Sequence, residues 1–105
     1  MTRFTIFQVG SEEYKLRLTA DAILTAEKKL GKSVFTALQN IQDNLFETVT
    51  VILWAAMQSM QHGTTMEKVY TLYDQYIDDG NSIEDLLQVI SALFEASGFF
   101  KKGQA

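Results

Sequence analysis

Alternation marks the start of the chain. Tyr14, Leu16 and Leu18 point to one side of an extended segment while Lys15 and Arg17 point to the other. The run from Arg3 to Val9 is rich in β-branched and aromatic residues, and Gly10, Ser11 and Glu12 separate the two runs, so a β-hairpin is predicted. A lone hairpin is marginal in water, so its apolar face is expected to lie on the segments C-terminal to it.

From Thr19 onward the apolar residues recur at helical spacing. Thr19 is placed to cap a helix through Leu30, with Asp21 near its positive end, Lys28 and Lys29 near its negative end, and Gly31 as a left-handed stop. Ser33 can cap a short segment, "VFTALQNI". A longer helix is predicted after Asp43 and Asn44, running to about Gln61, with Gly63 ending it. The stretch from Val49 to Met57 is apolar nearly all round, which predicts the most buried helix, with Trp54 in the core. Thr64 with Glu67 reads as the capping box of the next helix, which runs to Asp79 and stops at Gly80. Ser82 caps the last helix, with Glu84 and Asp85 in its first turn. Ile83, Leu86, Leu87, Ile90, Leu93 and Phe94 mark one face of it, and Gly98 ends it. Past Gly98, Phe99 is expected against Phe94 in a Schellman-type contact.

The expected fold is therefore α+β and mainly α, an N-terminal β-hairpin packed on a four- to five-helix bundle. It forms one domain over residues 1–98, with 99–105 as a flexible C-terminal tail. The length of 105 residues fits one such domain, and no proline, linker composition or repeat interrupts it.

Composition narrows the function classes. A hydrophobic share of 47% with 21% charged residues argues against disorder across the whole chain. The absence of cysteine excludes a disulfide scaffold, a thiolate metal site and a cysteine nucleophile, and suits a reducing compartment. A net charge of -4 with scattered Lys and Arg argues against a phosphate backbone as partner, so no nucleic acid is expected. No stretch approaches the ~20 apolar residues of a bilayer span, and the N-terminus lacks the plan of a signal peptide. A soluble intracellular protein without a membrane partner is expected.

Candidate chemistry is sparse. His62, the only histidine, reads as a residue at a helix C-terminus, favoured there by the dipole. No glycine-rich phosphate loop occurs. "DDGNSIED" from Asp78 to Asp85 resembles a calcium loop at first sight. Aligned on the EF-hand pattern, however, it puts Ile77 at the first ligand, Ser82 at the glycine and Gln88 at the bidentate glutamate, so a helix stop and cap is preferred. Catalytic residues, metal ligands and cofactors are all expected to be none. Tyr70, Tyr73 and Tyr76 recur every third residue, which suits core packing or a partner surface. Asp78 and Asp79 sit at a helix C-terminus, where acid is disfavoured, and are either solvated or set against a basic partner. Phe100, Lys101 and Lys102 come after the last helix without a role in any core. Those eight residues are the candidate partner-binding positions.

Several segments carry a resemblance in order along the chain. "EYKLRLTADAILTAEKKLGKSVFTAL", "VTVILWAAMQ" and "YIDDGNSIEDLLQVISALFEASGFF" resemble the tail assembly chaperones of long-tailed bacteriophages and prophages, and together cover nearly the whole chain. In that family a strand ending "LRLT" leads into a helix with an acidic residue and "LGKS", here Glu27, Leu30, Gly31, Lys32 and Ser33.

The resemblance implies a protein without catalysis. It implies binding to the tail tape measure protein, recruitment of major tail tube subunits, action in the bacterial host cytoplasm, and absence from the mature virion. It also implies ribosomal frameshifting near the end of the reading frame. Lys101 and Lys102 are then either the product of an adenine-rich slip site or an ordinary soluble tail, and this chain would be the short form. A small helical adaptor or regulatory module, with a dimer among its forms, and a metal-dependent enzyme built on the acidic residues are the alternatives. Self-association stays open.

Overall fold

A computed structural model describes residues 3–100 of the chain. Its order is β1 (Thr5–Val9), β2 (Glu12–Leu16), α1 (Ala20–Leu30), α2 (Val34–Gln39), a 3-10 turn (Ile41–Asp43), α3 (Leu45–Gln58), α4 (Met66–Asp78) and α5 (Ile83–Ser97). The α+β, mainly helical architecture expected from the sequence is the one present, with a two-stranded antiparallel sheet and five helices.

The hairpin is tighter than its sequence suggests. Val9 pairs with Glu12, which leaves a two-residue turn of Gly10 and Ser11. Gly10 has φ 60° and Ser11 does not share the positive sign, as a type II′ turn with glycine at its first central position requires. The expected second strand also shifts toward the turn. Arg17 leaves the ladder because its N–H donates to the carbonyl of Ala56 at 3.1 Å, tying the strand's end to α3. Phe7, Val9, Leu16 and Leu18 are buried against the helices, so the alternation is used as predicted.

α3 is the central helix. Nine consecutive or near-consecutive positions from Thr48 to Met57 are buried, including Ile52 and Leu53. α1 runs close along it, and the buried positions of α1 are the alanines Ala22 and Ala26, short enough to let two helix backbones approach. Trp54 departs from its expected core role and is only half-buried. Its indole N–H donates to the carbonyl of Thr64 at 2.9 Å, and the Lys29 ammonium lies 5.4 Å from the ring centre. An indole needs a partner for its N–H, and the loop supplies one.

That same loop moves the start of α4. The cap is Thr65, whose hydroxyl accepts from the Lys68 N–H at 3.1 Å, and not Thr64. Thr64 is committed elsewhere: its hydroxyl donates to the Gln61 carbonyl at 2.7 Å, and its own carbonyl accepts from both Trp54 and Gln58. The regular part of α3 ends at Gln58, and Gly63 (φ 81°) lies in the loop beyond it. Ser82 and Asp85 form a reciprocal cap on α5, each side chain bonding the other's backbone N–H.

At the end of α5, Gly98 takes a left-handed conformation, and the Phe99 ring lies 5.4 Å from Phe94, the expected contact. The Phe99 N–H, however, donates to the Ser97 hydroxyl at 3.1 Å. Phe100 also packs on Phe94, at 5.6 Å between ring centres, so side-chain packing continues past Gly98 to the last described residue. Lys101 and Lys102 lie outside the described residues.

Candidate functional site

The site begins with the short connection between α1 and α2. Gly31 reverses the chain at φ 74°, its N–H donating to the Glu27 carbonyl at 2.8 Å. Ser33 then caps α2 by accepting from the Thr36 N–H. The first amide of α2 would still be an orphan donor. It is met by Glu27, whose Oε2 accepts from the Val34 N–H at 2.9 Å. A carboxylate at a helix N-terminus is electrostatically favoured as well, so Glu27 fixes where α2 begins.

α2 buries Val34 and Ala37 and turns the Phe35 ring outward, where it is 54% exposed. Opposite stands α5, which offers Leu87, Ile90, Ser91 and Phe94 at steps of three, four and seven from the first. Between the two helices lies a groove of about 350 Å³. Phe35, Leu38 and Ile41 form one wall and Leu87, Ile90 and Phe94 the other, with Phe100 also on its lining. Gln39 and Ser91 supply the polar lining atoms, and among the described residues no ionisable side chain lines the groove. A surface of this composition can hold an apolar stripe by shape and dehydration.

The residues singled out from the sequence fall in several places. Tyr70 and Tyr73 join Phe46 of α3 in an aromatic cluster, with ring centres 6.2 Å and 4.9 Å from Phe46 respectively. Tyr70 and Phe46 are both exposed. Tyr76 is not part of that surface. It is 5% exposed, and its ring lies 5.0 Å from Phe7 in the core. A three-residue step falls about 60° short of a full helical turn, so a ridge of three such residues spreads over about 120° and cannot keep one face. Burial, and secondarily the charge of Asp85, raises the Tyr76 hydroxyl above its ordinary pKa of 10.0.

Asp78 and Asp79 are exposed at the end of α4, and an Asp79 carboxylate oxygen lies 3.6 Å from where a Gly10 β-carbon would stand, beside the hairpin turn. Neither lines the groove. Phe100 does.

Sequence reasoning does not single out Phe35, Leu38 or Leu87 as site residues. In the sequence Leu87 reads only as part of a core-facing stripe. Phe35 gives the one available signal, a large aromatic residue in a segment too short to bury two faces.

His62 is exposed in the turn after α3 and shares a polar hollow of about 170 Å³ with Asp21, Thr25, Gln58 and Ser59. The Asp85 carboxylate accepts from both the Ser82 N–H and its hydroxyl, which commits it to the helix cap. Among the described residues no group of three or more His, Asp or Glu side chains is placed to hold a metal ion, and no helix is long and apolar enough to cross a membrane.

No curated protein and no solved structure matches this chain. One family model spans residues 2–105, and by that match the chain belongs to DUF6096, a family of unknown function.

Proposed function

We propose that this chain is a non-enzymatic tail assembly chaperone of a long-tailed bacteriophage or prophage, acting in the bacterial host cytoplasm. It binds an amphipathic helix of the tape measure protein and recruits major tail tube subunits, and it leaves before the virion is complete. The observation that carries this reading is the groove between α2 and α5, apolar on both walls and without an ionisable side chain among its described lining residues. An amphipathic helix presents side chains at i, i+3, i+4 and i+7, and such anchors suit a trough between two helices. A tape measure protein before tube assembly exposes long apolar helical stripes, which self-associate unless shielded.

The order of the segments "LRLT", "LGKS", "ILWAA" and "SGFF" supports the same assignment. Recruiting a tube subunit while holding a helix requires a second surface. The exposed Phe46 and Tyr70 beside Tyr73 provide one, rich in the residue types that interfaces favour. Under this reading the codons of Lys101 and Lys102 are where an adenine-rich slip site is to be sought in the gene.

Co-expression with fragments of the tape measure protein from the same genome tests the proposal. A stable complex with a helical fragment is expected on size-exclusion chromatography. Recovery of a transcription or signalling factor in its place supports a helical adaptor, and turnover of any substrate by the purified chain would sink the reading.

A further inference from the structure

We infer that α2 is a hinged jaw, held by a Glu27 latch, whose swing sets the width of the groove. This rests on the groove as the binding site proposed above. Four observations carry it. α2 has six residues, well below the ~12–15 at which an isolated helix becomes marginally stable, so its position depends on what holds it. Its buried side chains, Val34 and Ala37, are small, and it leans mainly on α1, while the groove takes the space where packing on α5 would be. Both ends are non-helical: Gly31 at φ 74°, with no atom within 4 Å of where a β-carbon would stand, and Asn40 at φ -110° and ψ 28°.

Across the Gly31 hinge runs the side-chain bond from the Val34 N–H to Glu27 Oε2, at 2.9 Å and partly buried. A hydrogen bond to a charged acceptor is about twice as strong as a neutral one. Glu27 is therefore a positioning residue: it stands outside the groove lining and acts through α2. With the latch closed, Phe35, Leu38 and Ile41 stand at the spacing that leaves a groove of about 350 Å³. With it open, the wall rotates about Gly31 and Asn40, and the groove accepts stripes of different bulk. Segments of low local stability are the ones proteins use for such openings.

Hydrogen exchange read by mass spectrometry on the full chain tests this without any partner. In Glu27→Ala, amides of residues 34–39 are expected to exchange about ten-fold faster or more, the scale of one lost charged hydrogen bond, while α3 and α5 keep their protection. Glu27→Gln, which keeps a carbonyl acceptor, should restore most of the protection, and 1-anilinonaphthalene-8-sulfonate should fluoresce more strongly with the Ala variant than with the wild type. Leu53→Ala, a core truncation, is the control for global loosening. Unchanged exchange in residues 34–39 of Glu27→Ala would overturn the inference. So would acceleration spread equally over α3 and α5, as in the control. Failure of the tape measure to bind leaves these outcomes intact, so the two proposals can fail separately.

Discussion

Phe35→Ala separates binding from folding. The ring is 54% exposed in the free chain, so truncating it removes only the packing of its covered part, and stability should fall by about 1–2 kcal/mol. In a complex that same exposed half would be covered. An aromatic side chain buries roughly 150–250 Å², so about 100 Å² is newly covered at this position. At roughly 25 cal/mol per Å², its loss costs about 2.5 kcal/mol, or a dissociation constant about seventy-fold weaker.

Fluorescence anisotropy of a labelled tape-measure helix reads the affinity, and thermal melting of the free chain reads the stability. Markedly weakened binding by a chain that still melts cooperatively, with a modestly lowered midpoint, is expected. Affinity within two-fold of wild type would refute the use of this wall, and loss of a cooperative melt would refute the claim that Phe35 serves mainly at the surface. Ile90 stands on the other wall but is 3% exposed, so its truncation cannot make the same separation.

The core and the caps give further expected outcomes. Leu53→Ala removes a fully buried side chain of α3 and should lower unfolding stability by about 2–5 kcal/mol in urea denaturation. Asp85→Ala removes the reciprocal cap of α5 and should cost about 1 kcal/mol, with Ser82→Ala giving a similar, non-additive loss. Tyr76 is held above its ordinary pKa of 10.0, so the folded state binds its proton more tightly than the unfolded chain does. That contribution is fully present below about pH 10 and is lost as pH rises through the raised folded value; Tyr76→Phe should flatten the alkaline decline in stability measured by pH-dependent melting.

Residues that govern local conformation are the most legible in the sequence. Thr19, Gly31, Ser33, Ser82 and Gly98 each declare a helix end through their own chemistry, and each sits at one. The alternation of Tyr14, Leu16 and Leu18 likewise marks which hairpin face is covered. Misplacements arise where a neighbour in space competes. Thr64 has the composition of a cap, yet Trp54 and Gln58 claim its carbonyl, and Thr65 caps α4 in its place.

The groove is hidden from the sequence for a related reason. Periodicity shows that Leu87, Ile90 and Phe94 share a face but not that α2 stands off from it, because that gap depends on a bond between Glu27 and Val34 across a turn. The tyrosine ridge fails as one surface because helical geometry divides it: Tyr76 reaches Phe7, and Tyr70 reaches Phe46.

The proposed function requires above all that the groove accept an amphipathic helix. A titration of the 15N-labelled chain with a tape-measure helix peptide, monitored by two-dimensional NMR, tests that most directly. Shifts concentrated in residues 34–41 and 87–94 are predicted. Saturating peptide that leaves those amides unmoved, or moves only those around Phe46 and Tyr70, would contradict it.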